Sequence, residues 1–447
     1  MSTHFIAQLV RNAVEKQRPF DALAAIINLQ PVDVADVLAQ LKPAQAWALL
    51  QELPERAQVF ACFAPELQMR IAAQAPRGAL APLVGAMAAD ERADVFKRLD
   101  ESQRALLLPA LAQAERDDMR KLAAFAEGTA GALMTSGYAT LKPHMQAAEA
   151  IVALRHEAPD AETIYHAFVV DEERRLLGAV SLRELILAAP EATVGELMVR
   201  NVIHAEVNTT QEEAARLVAR YSLLALPIVN GGQQLVGIVT YDDAMHAASA
   251  EATEDIHKGA AVATFIGNMK GASIGLLYKK RVFWLVLLVF GNIFSGMGIA
   301  HFEDIIAANL VLVFFLPLLV DSGGNAGSQS STLMVRALAT GEVRMADWFK
   351  LLGRESVVAM ALGLTMAAAV SLIGWYRGGP EVALVVSLSM VAIVLIGCLI
   401  GMSLPFLLSR FGFDPASASA PLITSICDAS GVVIYLFIAT QFLHLAA

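Results

Sequence analysis

The chain has 447 residues, of which 56% are hydrophobic and 17% charged, and it carries a net charge of -10 at neutral pH. This length admits several domains, and the apolar excess, concentrated after Lys280, excludes a wholly soluble protein. The acidic balance argues against nucleic acid and anionic lipid surfaces as partners of the soluble part, and three scattered cysteines without CxxC or Cys/His spacing exclude a disulfide framework and a structural zinc.

In chain order, the opening stretch MSTHFIAQLVRNAVEKQRPF lacks a continuous apolar core of signal-peptide type, so the soluble half is expected in the cytoplasm. Residues 1–128 read as a helical domain. Pro43, Pro54, Pro65 and Pro76 recur every eleven residues, with Val37, Leu38, Leu41, Leu49, Leu50 and Leu53 among the apolar positions around and between them. Proline fits the first turn of a helix and ends the previous one, so this spacing predicts short helices. They form either a small solenoid or an ordinary helical bundle.

Residues 129–250 hold a duplicated unit. GALMTSGYATL recurs loosely as GELMVRNVIHAE, and AFVVDEERRLLGAVSLREL as LPIVNGGQQLVGIVTYDDA. Each copy has two β-branched runs separated by a turn and followed by a helix. The repeat interval of about sixty residues is too long for a solenoid. It fits two small α/β domains, 129–191 and 192–250, paired with each other. Residues 251–278 read as a connecting helix with an acidic first turn and an apolar end.

Five apolar segments follow, near 282–301, 305–329, 356–375, 381–408 and 421–444, each reaching the roughly 20 residues that cross a bilayer. Residues 279–447 contain nine basic and nine acidic residues, so the 24 basic and 34 acidic residues of 1–278 carry the whole net charge. Lys279, Lys280 and Arg281 precede the first segment. Arg336, Arg344, Lys350 and Arg354 follow the second, and Arg410 follows the fourth. The opposite loops hold only Glu303, Asp304, Arg377 and Glu381. The positive-inside bias then predicts a multi-pass inner membrane protein with its N-terminus and soluble domains in the cytoplasm and its C-terminus outside.

The most informative stretch is Pro317–Gly341, PLLVDSGGNAGSQSSTLMVRALATG. It turns polar without leaving helical spacing: Asp321, Asn325, Ser328, Thr332 and Arg336 share one face. A second carboxylate, Asp428, lies in the last apolar segment. A charge at membrane depth costs roughly 2.5–3.5 kcal/mol on the insertion scale, so such residues should face protein or water. Two intramembrane carboxylates with no lysine beside them suggest a cation path.

PLLVDSGGNAGSQSSTLMVRALATGE and DPASASAPLITSICDASGVVIYLFIA, together with the soluble repeats and the EATEDI helix, make the chain resemble the MgtE-type magnesium transporters over essentially its whole length. The resemblance implies a multidomain α plus α/β membrane protein: a helical N-terminal domain, tandem CBS domains, a connecting (plug) helix and a five-helix transmembrane domain. It implies a homodimer in membrane lipid with its pore on the two-fold axis, closed by the cytoplasmic domains when Mg2+ is high.

On that reading Asp428 from two copies surrounds one hydrated ion, since Mg2+ dehydrates reluctantly and charged rings select cations. The alternative role for Asp428 is a helix–helix hydrogen bond. Asp321, Gly323, Gly324, Asn325, Ser328 and Gln329 form a second wall, with small-residue packing between spans as the other reading. Thr424, one turn before Asp428, is a further candidate. The resemblance also implies Mg2+ bridging acidic residues between soluble domains. The candidates are Asp90, Glu91 and Asp94; Glu212, Asp242 and Asp243; Glu251, Glu254 and Asp255; and Asp414 before the last span. Each cluster alone reads equally as a solvated face. Asp255 and Asp414 are expected to meet, and His246 stands where it can replace a carboxylate ligand. Ser181 and Thr240 with Asp243 open helices in a pattern that can hold a nucleotide ribose, with ATP as a candidate regulator; helix capping is the simpler reading.

No GxxxxGK[ST], HExxH or nucleophile-elbow sequence appears, so no enzymatic activity is expected. The expected function is a Mg2+ channel or channel-like importer, also open to Co2+ or Mn2+, driven by membrane potential. The alternatives are a membrane-anchored Mg2+ or nucleotide sensor and an ion-coupled divalent cation exporter gated by its CBS domains.

Overall fold

A computed structural model describes residues 3–443, except 77, 160 and 264–272. The chain divides into two units, Met1–Ser249 and Ala250–Ala447.

The first unit opens with short helices from Thr3–Glu15 to Gln113–Ala123. Pro19, Pro31, Pro43 and Pro65 each start one, where the fixed φ is already helical and the missing N–H would have had no partner. Pro54 and Pro76 instead lie ahead of the helices Arg56–Ala61 and Leu80–Gly85. Leu38, Leu50, Phe60, Ile71 and Val84, one from each successive helix, are fully buried. Helices also pack against the second-next helix: Pro31–Leu38 on Arg56–Ala61, and Pro43–Leu50 on Pro65–Ala72. That is the pattern of a stack, so of the two readings of the proline period the solenoid holds.

The duplicated unit forms two three-stranded sheets. β1 (Tyr138–Leu141), β2 (Thr163–Val170) and β3 (Leu176–Ser181) make one, with β1 parallel and β3 antiparallel to β2. β4 (Ala205–Glu206), β5 (Ala225–Val229) and β6 (Leu235–Thr240) repeat the arrangement. The segment ahead of each sheet crosses to the other: Thr135 bridges to Ile238, and Val199 to Ala179. The crossing explains the repeated Leu-Met and Gly signals. A Cβ on Gly237 would lie 2.5 Å from the Met134 sulfur, and one on Gly178 would lie 2.7 Å from the Met198 sulfur. Each repeat therefore fills a notch in its twin.

The helix Tyr241–Gly259 follows β6 directly, so the connecting helix begins ten residues before the expected 251. It ends at Gly259. Part of the expected 251–278 helix, 264–272, lies outside the described residues, and from Ile274 the chain belongs to the first span.

In the second unit four helices among the described residues are long and apolar enough to cross a membrane. One, Trp348–Arg410, has 63 residues, which would extend about 95 Å if straight, some three times a hydrocarbon core. It is broken at Gly379, whose φ of 79° and ψ of -172° are non-helical, and Pro380 follows. The two arms fold back on each other: a Cβ on Gly374 would lie 2.9 Å from the Ala383 backbone, and one on Gly363 would lie 3.0 Å from Val391. Among the described residues there are thus five long apolar helical segments, referred to below as spans: Ile274–His301, Val311–Ala339, 348–378, 380–410 and Ala420–Phe442. The second does not start at 305. Phe302 and Asn309 leave helical geometry on either side of a short helix, Glu303–Ala308. Tyr435 donates a 3.1 Å hydrogen bond to the Leu312 carbonyl near the new start.

The second and fourth spans approach through glycines. A Cβ on Gly397 would lie 2.5 Å from the Gly323 carbonyl, one on Gly327 would lie 2.7 Å from the Gly397 carbonyl, and Gly401 lies tighter still against Gly327. Such contact brings backbones into dispersion range where lipid supplies no hydrophobic drive.

Candidate functional site

The polar face of the second span meets the fifth. Asn325 donates to Asp321 at 2.9 Å, one turn apart on Val311–Ala339, and both residues are exposed in the single chain. Asp321 acts electrostatically on Asp428 of the fifth span. Ser328 and Thr424 face each other at 3.4 Å, and Ser328 donates to the Ala420 carbonyl at 3.4 Å. Gly324 lies against Thr424, where a Cβ would approach its methyl at 3.0 Å. Gln329 is exposed. Gly323 stands apart from this group: it faces Ile393 and Gly397, on the packing seam rather than the polar face. The face carries carboxylates, an amide and hydroxyls, a donor set for a hydrated cation.

In the soluble unit, Asp90 and Glu91 occupy the first turn of helix Ala89–Arg98. Burial pushes the Asp90 carboxyl up to about 8, with Asp243, Glu91 and Glu162 adding to the effect. Burial pushes Glu91 up to about 7, helped by Glu162, Asp243 and Asp242. Burial also raises Asp243, against a 2.5 Å hydrogen bond from Thr240 and the nearby His246. The Asp90 Oδ1 is buried with no hydrogen-bond partner. Like charges held together in low dielectric, one oxygen unmatched, favour a cation or a proton. Glu162 belongs to this group and is missing from the sequence reading. Burial raises it, and Asp243 and Asp242 act on it. It sits at the entrance to β2, and only the fold brings it to Asp243. Asp94 acts on Asp243 but is itself paired with Arg98 at 3.0 Å. Glu212 lies in the first turn of Gln211–Tyr221. Glu91 and Glu162 border a cavity of about 1100 Å³ that also touches Arg92, Asp118, Ser136 and Arg174.

The third cluster lies in the second unit. Lys258 bonds to Glu254 one turn back at 2.5 Å and to Asp414, before the fifth span, at 2.5 Å. The other Asp414 oxygen accepts from the Ala416 N–H at 2.8 Å. Burial and then Asp414 and Glu251 push Asp255 up to about 6, with Lys258 opposing. Asp414 therefore lies close enough to act on Asp255, while its own ion pair is with Lys258. Among the described residues no three His, Cys, Asp or Glu side chains converge tightly enough to hold a bare metal ion.

At the remaining candidates, Ser181 donates to Glu184 at 2.8 Å and caps its helix, while Thr240 donates to Asp243. His166, opposite Ser181 in the strand register, has a buried Nδ1 without a partner.

Residues 316–438 match the divalent cation transporter model MgtE, 29–128 match the MgtE intracellular N domain, and 130–191 and 194–250 match the CBS domain. The magnesium transporter MgtE of Thermus thermophilus is 37% identical over 422 residues, 93% of this chain and 94% of that protein. The chain belongs to the MgtE family. The Bacillus subtilis MgtE is 34% identical, with coverage of 75% of this chain and 74% of its own. Among solved structures, the cytosolic domain of the Mg2+ channel MgtE in complex with ATP is 33% identical, with a TM-score of 0.51. It covers 54% of this chain and is itself 99% covered. The soluble part of a magnesium transporter is 27% identical, again with a TM-score of 0.51, over 56% of this chain and all of that one. The MgtE model extends from the second to the fifth span, where Asp321 and Asp428 lie.

Proposed function

We propose that this MgtE-family chain forms a homodimeric Mg2+ channel of the inner membrane, with its soluble domains in the cytoplasm and its C-terminus outside. The single observation that carries the pore is the pair of intramembrane carboxylates, Asp321 and Asp428, on facing spans with Asn325, Ser328, Gln329, Gly324 and Thr424 around them. Two copies set Asp428 twice around one axis, and a hydrated Mg2+ passes by outer-sphere contacts. No hydrolysis is needed: an inside-negative membrane contributes about 4.6 kcal/mol per 100 mV to a divalent ion moving inward, from about 2.3 per charge.

The gate is cytoplasmic. Mg2+ held by Asp90, Glu91, Glu162, Asp242 and Asp243, and by Glu251, Glu254, Asp255 and Asp414, neutralises carboxylates that otherwise repel, and this favours the closed arrangement. Asp94 and Glu212 are second-rank candidates. Two sites and two states with different Mg2+ affinity make this allosteric coupling. The partnerless His166 Nδ1 beside Ser181 supports a nucleotide site in the first repeat; ATP in the solved relative points to the same ligand class. The test is Mg2+ uptake into liposomes under an inside-negative potential, with and without millimolar Mg2+ on the cytoplasmic face. Wild type should take up the ion and be suppressed by cytoplasmic Mg2+, and Asp428→Ala should take up none. An active Asp428→Ala protein removes the pore assignment, and a wild type inert throughout favours a sensor.

A further inference from the structure

Lys258 lies in the last turn of Tyr241–Gly259, about one-quarter exposed. Its ammonium makes two contacts of 2.5 Å, to Glu254 and to Asp414, and Asp414 lies 156 residues further along the chain. Burial works against the ammonium, but the hydrogen bonds it donates to Asp414 and Glu254 overcome it and raise Lys258 well above the ordinary lysine range. The ion stays charged at any physiological pH. The loop it grips is itself fixed: Asp414 caps the turn Pro415–Ser417 through Ala416, and Ser419 caps the fifth span.

A divalent ion that bridges Asp414 to Glu254 needs the carboxylate oxygens that now hold the ammonium. Lysine is a compact point charge on a flexible four-carbon stem, so it can leave and return without moving the backbone. The two carboxylates that Lys258 holds, Glu254 and Asp414, outnumber its one ammonium, which keeps the trio attractive to a divalent ion even while Lys258 is bound.

We infer that Lys258 is a built-in competitor for Mg2+ at this cluster: it occupies Glu254 and Asp414 when the ion is scarce, and its displacement sets the Mg2+ concentration at which the connecting helix responds. The inference rests on the proposed Mg2+-sensing role of these carboxylates and adds what tunes them. It separates Lys258 from a merely structural clamp, because the two roles shift the Mg2+ response in opposite directions.

The test uses the full-length protein in detergent and follows its protection from protease, together with Mg2+ binding by calorimetry, across a MgCl2 series. Lys258→Gln should become protected at about three- to tenfold lower Mg2+ than wild type, the size expected when two partly exposed ion pairs no longer compete. Lys258→Arg, which keeps the charge, should stay near wild type. An unchanged midpoint, or one moved to higher Mg2+, in Lys258→Gln overturns the competitor role. The double variant Glu254→Gln, Asp414→Asn separates this failure from failure of the sensor reading. If that variant responds to Mg2+ as wild type does, the cluster is not a sensor, whatever Lys258 does. Thermal unfolding of each variant without Mg2+ identifies a general loss of fold, which would lower the unfolding temperature of Lys258→Gln and overturn the inference as well.

Discussion

Asp90 is the residue where burial and charge conflict most openly. Its carboxyl is pushed up to about 8 and that of Glu91 to about 7, both by burial first and neighbouring carboxylates second. A carboxyl raised in the packed arrangement favours its protonated form there. Its contribution to packing is complete below the ordinary carboxylate range near pH 4 and is lost as pH climbs through about 7 to 8. In metal-free protein, amide exchange across Ala89–Arg98, corrected for intrinsic rate, should therefore accelerate as pH rises from about 4 to about 8 and level off above that. Added Mg2+ should suppress the change, and Asp90→Asn should flatten it; exchange indifferent to pH in wild type would show that these carboxylates do not strain the contact. Single residues were unevenly legible in the sequence. Asp321 and Asp428 stand out because a charge in an apolar run is costly wherever the fold puts it. Glu162 and Lys258 do not stand out, because an acid beside a strand and a lysine on an acidic helix look like ordinary solvated charges until their distant partners arrive.

At the scale of elements, glycine decides the membrane part. Gly379 combines a positive φ with a ψ of -172° at the turn of the hairpin, a region open essentially to glycine alone, which costs a side-chain-bearing residue roughly 1–3 kcal/mol. Gly379→Ala should lower the thermal midpoint of the solubilised protein by that much stability. On the seam between the second and fourth spans, Gly401→Ala drives a methyl into the Gly327 carbonyl and should cost about 1–3 kcal/mol, read as a lower unfolding temperature. Gly353→Ala, with open space around its position inside a helix, is the control and should leave the temperature unchanged or raise it slightly, since alanine favours a helix over glycine by about 1 kcal/mol. The turn at GGP was readable as a gap between two apolar runs, and the proline period was readable as short helices. Which glycines of SGGNAG face the seam and which face the ion path was not, because Gly323 and Gly324 are adjacent in sequence and diverge only once the fourth and fifth spans are in place. The extra starting length of the connecting helix was hidden for a related reason: YDDAMHAASAEATEDIHKG holds no breaker near 250, so nothing separates the helix that Thr240 opens from the one expected at 251.

For the whole molecule, the proposed pore belongs to two copies at once. Mixed dimers with one wild-type chain and one Asp428→Ala chain, purified through two tags and placed in liposomes, should conduct well below half the wild-type flux. A flux of one half would mean that each chain conducts by itself. The overall plan was largely visible beforehand, because charge, hydropathy and repeats each vary over long stretches that no single contact can disguise. The mutual notch-filling of the two soluble repeats has one more consequence. Met134 and Met198 each complete the partner repeat, so the pair is the smallest piece that can be inherited, transplanted or melted as a unit. A fragment holding one repeat alone is half of a clasp, with an unfilled gap on one side and an unsheltered methionine on the other.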